Sequence, residues 1–308
     1  MSRAAEAIRQ EVARALSGSG RVVLAVSGGA DSMVMLDAAC HAGCGVLVAT
    51  FDHRTGLASA EAAELVDTRC RELGVKCVVG RARTRLTGEE EWRNQRWGFL
   101  RRIAREHAAV IATAHTLDDQ IETVFMRILR DAGPRGLAGL YARSDVLRPL
   151  LGTRRQEVEA YAAKHAIEYV DDPSNLSRRH LRNRVRLDLV PAFRAVRPSF
   201  PDELLDLAAR AAAWRDSVAA IVDALGVERH SDGSLFVARR ALESYDKRQL
   251  AVLWPEIAAR TDVTMDRRGT LRVAAFTIEG ATGGSIQLSG GIEVVRTREH
   301  LVLRRRVV

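Results

Sequence analysis

Apolar residues follow one rhythm over the first part of the chain and another over the rest. Between residues 21 and 130, short and nearly unbroken apolar runs alternate with longer stretches of helical spacing. The runs "RVVLAV" (21–26), "GVLVATFDH" (45–53), "VKCVVGRAR" (75–83) and "AVIATAH" (109–115) are rich in β-branched residues. The first two have the pattern of strands buried on both faces, and the others read as a third and a fourth strand. Helical spacing predicts helices over 2–17, 32–42, 58–73, 88–107 and from Leu117 to Arg130, with Ser59 capping the third and Gly74 stopping it. The alternation predicts an α/β fold built on a doubly wound parallel sheet. Ligands of such sheets sit at the carboxyl ends of the strands. Four segments begin there: Ser27–Ser32, Asp52–Thr55, Thr84–Glu91 and His115–Glu122. Their convergence would make one site from distant parts of the chain.

After Gly133 the rhythm breaks. "AGPRGLAGL" is a turn-rich link, and "VLRPLL" a short extended piece stiffened by Pro149. A helix over 153–165, a strand-like "AIEYV", the turn "DDPSN" and a basic helix over 178–190 follow. Pro198 and Pro201 bracket a break, and 202–226 read as one long helix. Residues 233–308 hold short strands, glycine turns and one helix near 246–260. The spacing predicts two domains, 1–200 and a smaller α+β region over 201–308, with neither a repeat nor a low-complexity tract.

Composition narrows the class. Apolar residues at 47% and charged residues at 28% are those of a folded globular chain, which excludes general disorder. Aromatics at 5% argue against a surface of stacking platforms. Net charge is +8 and arginine dominates it. Such a balance suits a polyanionic partner, and suits equally an Arg-rich solvated face. The cysteines Cys40, Cys44, Cys70 and Cys77 form no C-x-x-C and show no zinc spacing, so a reduced, cytoplasmic protein is expected. The opening "MSRAAEAIRQEVARAL" is an amphipathic charged helix without a signal-peptide core, and no apolar run is long enough for a membrane span.

The chemistry begins at Ser27, Gly28, Gly29, Ala30, Asp31 and Ser32. A P-loop would need G-x-x-x-x-G-K-[ST] and a dinucleotide fingerprint G-x-G-x-x-G, and both are absent. The two glycines let the backbone turn its N–H groups toward an anion, the serines add hydroxyls, and the next helix adds its positive end. A carboxylate beside phosphate is repulsive unless a cation lies between them, so Asp31 points to Mg²⁺. The segment "TAHTLDDQIETVFMRILR" (113–130) brings His115, Asp118, Asp119 and Glu122 to a helix start, where spacing puts His115, Asp118 and Glu122 on one face. Those acids either complement the helix dipole or hold a cationic ligand or metal. In "DDPSNLSRRHLRNRVRLDLVP" (171–191), Arg182 and Arg186 lie one turn apart, with Arg178, Arg179 and Arg184 near. They make either a solvated basic face or a phosphate clamp.

Together these segments resemble the tRNA(Ile)-lysidine synthetases of the PP-loop, or N-type ATP pyrophosphatase, superfamily. The matching residues are Ser27–Ser32, Asp52–His53, Ala114–Thr123, Asp172–Asn175 with Arg182, Asn183 and Arg186, "GPRGLAGL" at 133–140 and "RPLL" at 148–151. Glu89, Arg93 and Arg96 fit a family helix of the form E-x-x-x-R-x-x-R. The chain departs from the family at Arg54, Thr55 and Gly56, at Thr116 and at Trp97. The resemblance covers about residues 20–200 and implies a catalytic domain there, followed by a helical linker and a smaller tRNA-binding domain. It implies ATP and Mg²⁺ as cofactors, with Ser27–Ser32 on the pyrophosphate and Asp31 on the metal. Its substrates would be free L-lysine and a tRNA(Ile) with a CAU anticodon. The wobble cytidine is adenylated at its C2 oxygen and then takes the lysine ε-amine, releasing AMP. Asp118, Asp119 and Glu122 are the expected lysine ligands, His115 or one of these acids the proton acceptor, and Arg93, Arg182, Arg184 and Arg186 the tRNA contacts. The rival readings are a PP-loop tRNA thiolase and a non-catalytic tRNA-binding module. The oligomeric state stays open, a homodimer included.

Overall fold

The computed structural model describes residues 3–54, 56–82, 89–171, 176–261 and 263–305. It divides after Arg210 into two compact units. The first carries a five-stranded parallel sheet, β1 (Arg21–Ala25), β2 (Val46–Asp52), β3 (Cys77–Arg81), β4 (Ala109–Thr113) and β5 (Val146–Leu147), in the order β3-β2-β1-β4-β5. Leu24 of β1 pairs in register with Val48 on one side and Ala112 on the other. Helices α1 (Arg3–Leu16), α2 (Ala30–His41), α3 (Leu57–Glu72), α4 (Glu89–Glu106) and α5 (Leu117–Leu129) fill the connections.

The order follows from burial. Val22, Val23 and Leu24 are at most 3% exposed, which only a central strand permits. Helix α2 is buried around most of its circumference, with Met33, Val34, Met35, Leu36, Ala38 and Ala39 all inside, so it needs cover beyond the sheet. Helix α1 supplies part of it through Ile8, Val12 and Leu16, four residues apart. Each such side chain contributes roughly 1.5–3 kcal/mol on burial. From β1 the chain winds outward to β3 and then returns to β4 on the other flank of β1. That reversal opens a crevice at the carboxyl ends of β1 and β4, where the Ser27 loop and His115 begin.

Several elements depart from the pattern expected of the sequence. Ser59 lies inside α3, whose N-cap is Gly56, and its hydroxyl instead donates to Asp52 Oδ1 at 2.7 Å. The strand-like "AIEYV" is irregular, because its backbone serves the loop: the Val170 N–H donates to the Gly28 carbonyl at 2.9 Å. After the short α6 (Pro134–Leu137) and α7 (Arg155–Lys164), the basic helix is α8 (Leu181–Arg184). It continues through a π-turn (Val185–Leu189) into α9 (Val190–Val196). The widened turn precedes Pro191, whose missing N–H would otherwise interrupt the ladder. This run packs on α5 through Val185, Val124, Ile121 and Phe125, and Phe125 meets Phe193 edge-on at 5.3 Å.

Helix α10 (Phe200–Ala224) starts at the proline break, and the division between the units falls inside it. The second unit is an antiparallel sheet of β6 (Glu228–Arg229), β7 (Leu235–Ala238), β8 (Ser285–Leu288), β9 (Ile292–Arg296) and β10 (His300–Arg305), with α11 (Arg239–Leu242), α12 (Lys247–Ala259) and α13 (Arg267–Glu279). The single helix expected there is α12; α13 and the four-residue α11 are additional. The opening "RRGT" of α13 carries a glycine and a β-branched residue, weak helix formers that the Asp266 cap on the Gly269 N–H offsets. Trp254 of α12 is fully buried and donates to Thr277 Oγ1 of α13 at 2.9 Å. Among the described residues, no helix is long and apolar enough to cross a membrane.

The "GPRGLAGL" link is pinned by the fully buried Gln120. Its amide donates to the Ala138 carbonyl at 3.0 Å and accepts the Leu140 N–H at 2.6 Å. Gly139 lies at φ +59°, and a Cβ there would stand 2.5 Å from Gln120 Oε1. Replacing Gln120 by Ala strands two backbone groups. A loss of about 1–3 kcal/mol is expected in equilibrium urea unfolding; an unchanged midpoint would mean that the link does not depend on this side chain.

Candidate active site

The loop after β1 is held from several sides. Gly28 takes φ +87°, and a Cβ there would meet Ala62 Cβ at 2.8 Å and its carbonyl oxygen at 2.9 Å. Both the turn and the close approach of α3 therefore need glycine. The Ser27 N–H donates to Ser32 Oγ at 3.1 Å, and that hydroxyl donates to the Gly29 carbonyl at 2.9 Å. Gly29 caps α2 without a side-chain bond, so the positive end of the helix faces the loop uncovered by a side-chain cap. Ala30 and Asp31 open the helix, and Ser27 is exposed at the mouth. Burial pushes the Asp31 carboxyl up to about 6, against the pull of Arg155 and with a further push from Asp119.

Across the crevice, Thr116 caps α5. Its backbone N–H and hydroxyl both donate to Asp119 Oδ2, at 2.8 and 3.0 Å. The helix does not group the acids as spacing suggested. His115 precedes the cap, and it is Asp119 and Glu122, three apart, that share partners. Arg182 donates to Asp119 Oδ1 at 2.8 Å and to Glu122 Oε2 at 2.9 Å. Arg186 donates to Glu122 at 2.6 and 3.0 Å. Arg155 reaches Asp119 at 3.2 Å, Glu122 at 3.3 Å and Asp31 at 3.8 Å. Burial raises the Asp119 carboxyl, but Arg182, Arg155 and the Thr116 N–H outweigh it and hold it below the usual range. The same acids hold Arg155 and Arg182 above theirs, against the pull of burial.

Asp118 turns away from this pair. It accepts the Arg155 N–H at 2.7 Å, with Arg154 at 3.8 Å, and its side chain is 33% exposed. Of the three acids it keeps the most room for another donor. His115 pairs through Nδ1 with Thr113 Oγ1 at 2.8 Å. Burial, opposed by Asp119 and helped by Arg182, Arg148 and Arg96, brings its pKa down to about 4. It is neutral at pH 7.

The other expected segments fall around this centre. Asp52 is buried and accepts the Arg54 N–H at 2.8 Å beside the Ser59 bond. His53 lies under Trp92, with ring centroids 6.4 Å apart. Arg93 and Arg184 are exposed. Burial, with Arg93 adding to it, holds the Arg96 guanidinium below its usual range. Thr55, residues 84–88, the Glu89 side chain and Asp172–Asn175 lie outside the described residues. Among the described residues, no group of three His, Cys, Asp or Glu could hold a metal alone. A divalent ion beside Asp31 would draw most of its ligands from phosphate and water, the usual habit of Mg²⁺.

Sequence reasoning missed Arg154 and Arg155, which stand in "GTRRQEV" and read only as a helix start. No local signal marks them, because the burial of Asp119 and Glu122, which calls for cations, appears only in the fold. It also treated Arg182 and Arg186 as charges free for RNA, whereas they hold Asp119 and Glu122.

Known proteins resemble this chain in sequence and in fold. A family model described as the PP-loop domain matches residues 2–193. The chain is 33% identical over 198 residues to the tRNA(Ile)-lysidine synthase of Thermosipho africanus, covering 60% of this chain and 46% of that protein. It is 31% identical over 314 residues to the tRNA(Ile)-lysidine synthase of Salinispora tropica, covering 94% and 93%. The chain spans about half the length of several curated relatives that it matches, between 44% and 60%. Among solved structures, the U34-tRNA thiolase NcsA from Methanococcus maripaludis superposes with a TM-score of 0.57 at 17% identity, over 67% of this chain and 77% of that one. At that identity the likeness is one of fold.

Gly28→Ala tests the loop geometry. Positive φ alone costs of order 1–3 kcal/mol, and the contact with Ala62 adds to it. A lowered melting temperature together with weakened phosphate-ligand binding is expected; a variant equal to the parent in both would contradict the packing described.

Proposed function

The chain belongs to the tRNA(Ile)-lysidine synthase family, and we propose that it carries out that family's reaction, joining free L-lysine to the wobble cytidine of a CAU-anticodon tRNA(Ile) at the expense of ATP. The observation that carries this reading is a single crevice with an anion-seating loop on one side and an acid cluster on the other. The first suits a polyphosphate and the second an amine. The cytidine C2 oxygen attacks the α-phosphorus of ATP, and pyrophosphate leaves from the cradle of Ser27, Gly28, Gly29, Ala30 and Ser32. Mg²⁺ at Asp31 would neutralise charge on the departing phosphates. The lysine ε-amine then attacks C2, the C2–O bond breaks, and AMP departs. In this step Asp119 and Glu122 face the lysine ammonium and α-amino ends.

Asp118, with room for another donor, takes the amine proton. His115, neutral at pH 7, accepts a hydrogen bond and orients the incoming amine. Arg93 and Arg184, both exposed, meet RNA phosphates, with Arg182 and Arg186 at the inner edge of the same path. Residues 211–308 add further grip on the tRNA. A thiolase reading is disfavoured by the cysteines. Cys44 and Cys77 stand at the amino ends of β2 and β3, and Cys40 and Cys70 in the last turns of α2 and α3, at the end of the sheet away from the loop.

Purified protein with ATP, Mg²⁺, radiolabelled lysine and this tRNA should label the RNA; ATP cleavage without label would overturn the reading. Asp118→Ala should lower lysine incorporation at least 100-fold, in line with the weight of a general base, while tRNA binding persists; equal loss of both would remove the assigned role. Neutralising Arg184 or Arg93 should reduce the salt slope of tRNA binding by about one each. Because the Asp31 carboxyl is pushed up to about 6, lowering the pH through 6 protonates it. The half-saturating Mg²⁺ concentration should then rise as the pH falls, and a flat profile from pH 5 to 8 would separate Asp31 from the metal.

A further inference from the structure

The crevice holds nearly matched charge. Four carboxylates, Asp31, Asp118, Asp119 and Glu122, face four guanidiniums, Arg154, Arg155, Arg182 and Arg186. Of these four, Arg155 touches both the loop's acid and the acid pair of α5. Its main chain is fixed, because its N–H donates to Asp118 Oδ2 at 2.7 Å at the start of α7. Its head is held more loosely. Arg182 and Arg186 each make a contact of 2.9 Å or shorter to the acid pair, whereas those of Arg155 are 3.2, 3.3 and 3.8 Å. A guanidinium on a fixed root with long contacts is easier to draw away from the acid pair than Arg182 or Arg186, and it already stands beside Asp31.

We propose that Arg155 is a positioning residue that links the nucleotide half of the site to its amine half. In the arrangement seen here its charge is shared between Asp31 and the Asp119–Glu122 pair. Phosphates seated on the loop compete for it and win, since a polyphosphate offers several oxygens to a planar, bidentate donor. The acid pair is then short of one cation, and a lysine ammonium takes the place. Nucleotide and amine thus bind with positive coupling, and an amine without nucleotide meets a pair already satisfied. This inference rests on the reading of the loop as the ATP site and the acids as the amine site.

Equilibrium binding of radiolabelled L-lysine to the full chain, with and without Mg²⁺ and a non-hydrolysable ATP analogue, tests it. The analogue should tighten lysine binding about tenfold, within the range usual for coupled sites, and lysine should tighten the analogue by the same factor. Arg155→Met should bind lysine without the analogue as tightly as the parent does with it, and the coupling should vanish. A merely structural role predicts the opposite sign, a loss of lysine affinity. Arg155→Lys should keep part of the coupling, and the parent's reciprocity stands as a test if the Met variant does not fold. Undiminished coupling in Arg155→Met, or lysine binding indifferent to the analogue in the parent, would overturn the inference. Analogue binding with no lysine binding in any state would overturn the amine-site reading itself, and the inference with it.

Discussion

Two carboxylates almost out of reach of water set the terms for this site. Asp119 is 7% and Glu122 3% exposed. An unpaired charge at such a position costs several kcal/mol, so the fold has to bring cations to it. Arg155, Arg182 and Arg186 do so from parts of the chain far from α5 in sequence. Docking α7 and α8 against α5 is therefore an electrostatic requirement as much as a packing one. The apolar contact of Val185 with α5 and the stacking of Phe193 with Phe200 at 4.8 Å seat the same helical run. Removing one of these arginines would leave a buried charge with fewer partners, a loss of stability of about 3–5 kcal/mol by analogy with other broken buried pairs.

The sheet places this cage opposite the loop. Strand order reverses between β1 and β4, so the segments after those strands face one crevice. The loop side needs glycine at Gly28 and ties itself to the chain beyond α7 through the Val170 N–H. Arg155 spans the gap. Phosphate-seating backbone, a single acid raised by burial, and a cation-filled acid pair lie within one side chain's reach of each other. That closeness suits the proposed two-step transfer, because activation and capture act on the two ends of one C2–O bond.

Much of this was legible in the sequence. Four apolar runs separated by stretches of helical spacing predict a parallel sheet, and that holds; the central β1 is buried as expected, whereas β3, at the sheet's edge, leaves Val79 40% exposed. The loop's tight turn followed from Gly28, whose backbone freedom acts locally. The acid cluster was visible, but its grouping was not. Helical spacing suggested Asp118 with Glu122, while the Thr116 cap turns Asp119 inward beside Glu122 and leaves Asp118 near solvent. Arg155 was invisible because nothing local distinguishes it from any arginine at a helix start. Its role appears only when α7 is folded against α5. The same holds for Arg182 and Arg186, whose charge read as available until their partners were in place. In the second unit α13 was lost because its capped first turn contains Gly269.

The central claim is that the crevice activates one RNA base on the loop side and delivers an amine from the acid side. Nucleoside mass spectrometry of a CAU-anticodon tRNA(Ile) after incubation with the protein, ATP, Mg²⁺ and L-lysine tests it most directly. The account predicts that the wobble cytidine alone gains the mass of a condensed lysine, and only when both ATP and lysine are present. A cytidine that remains unmodified, or a base that gains sulfur instead, would contradict it.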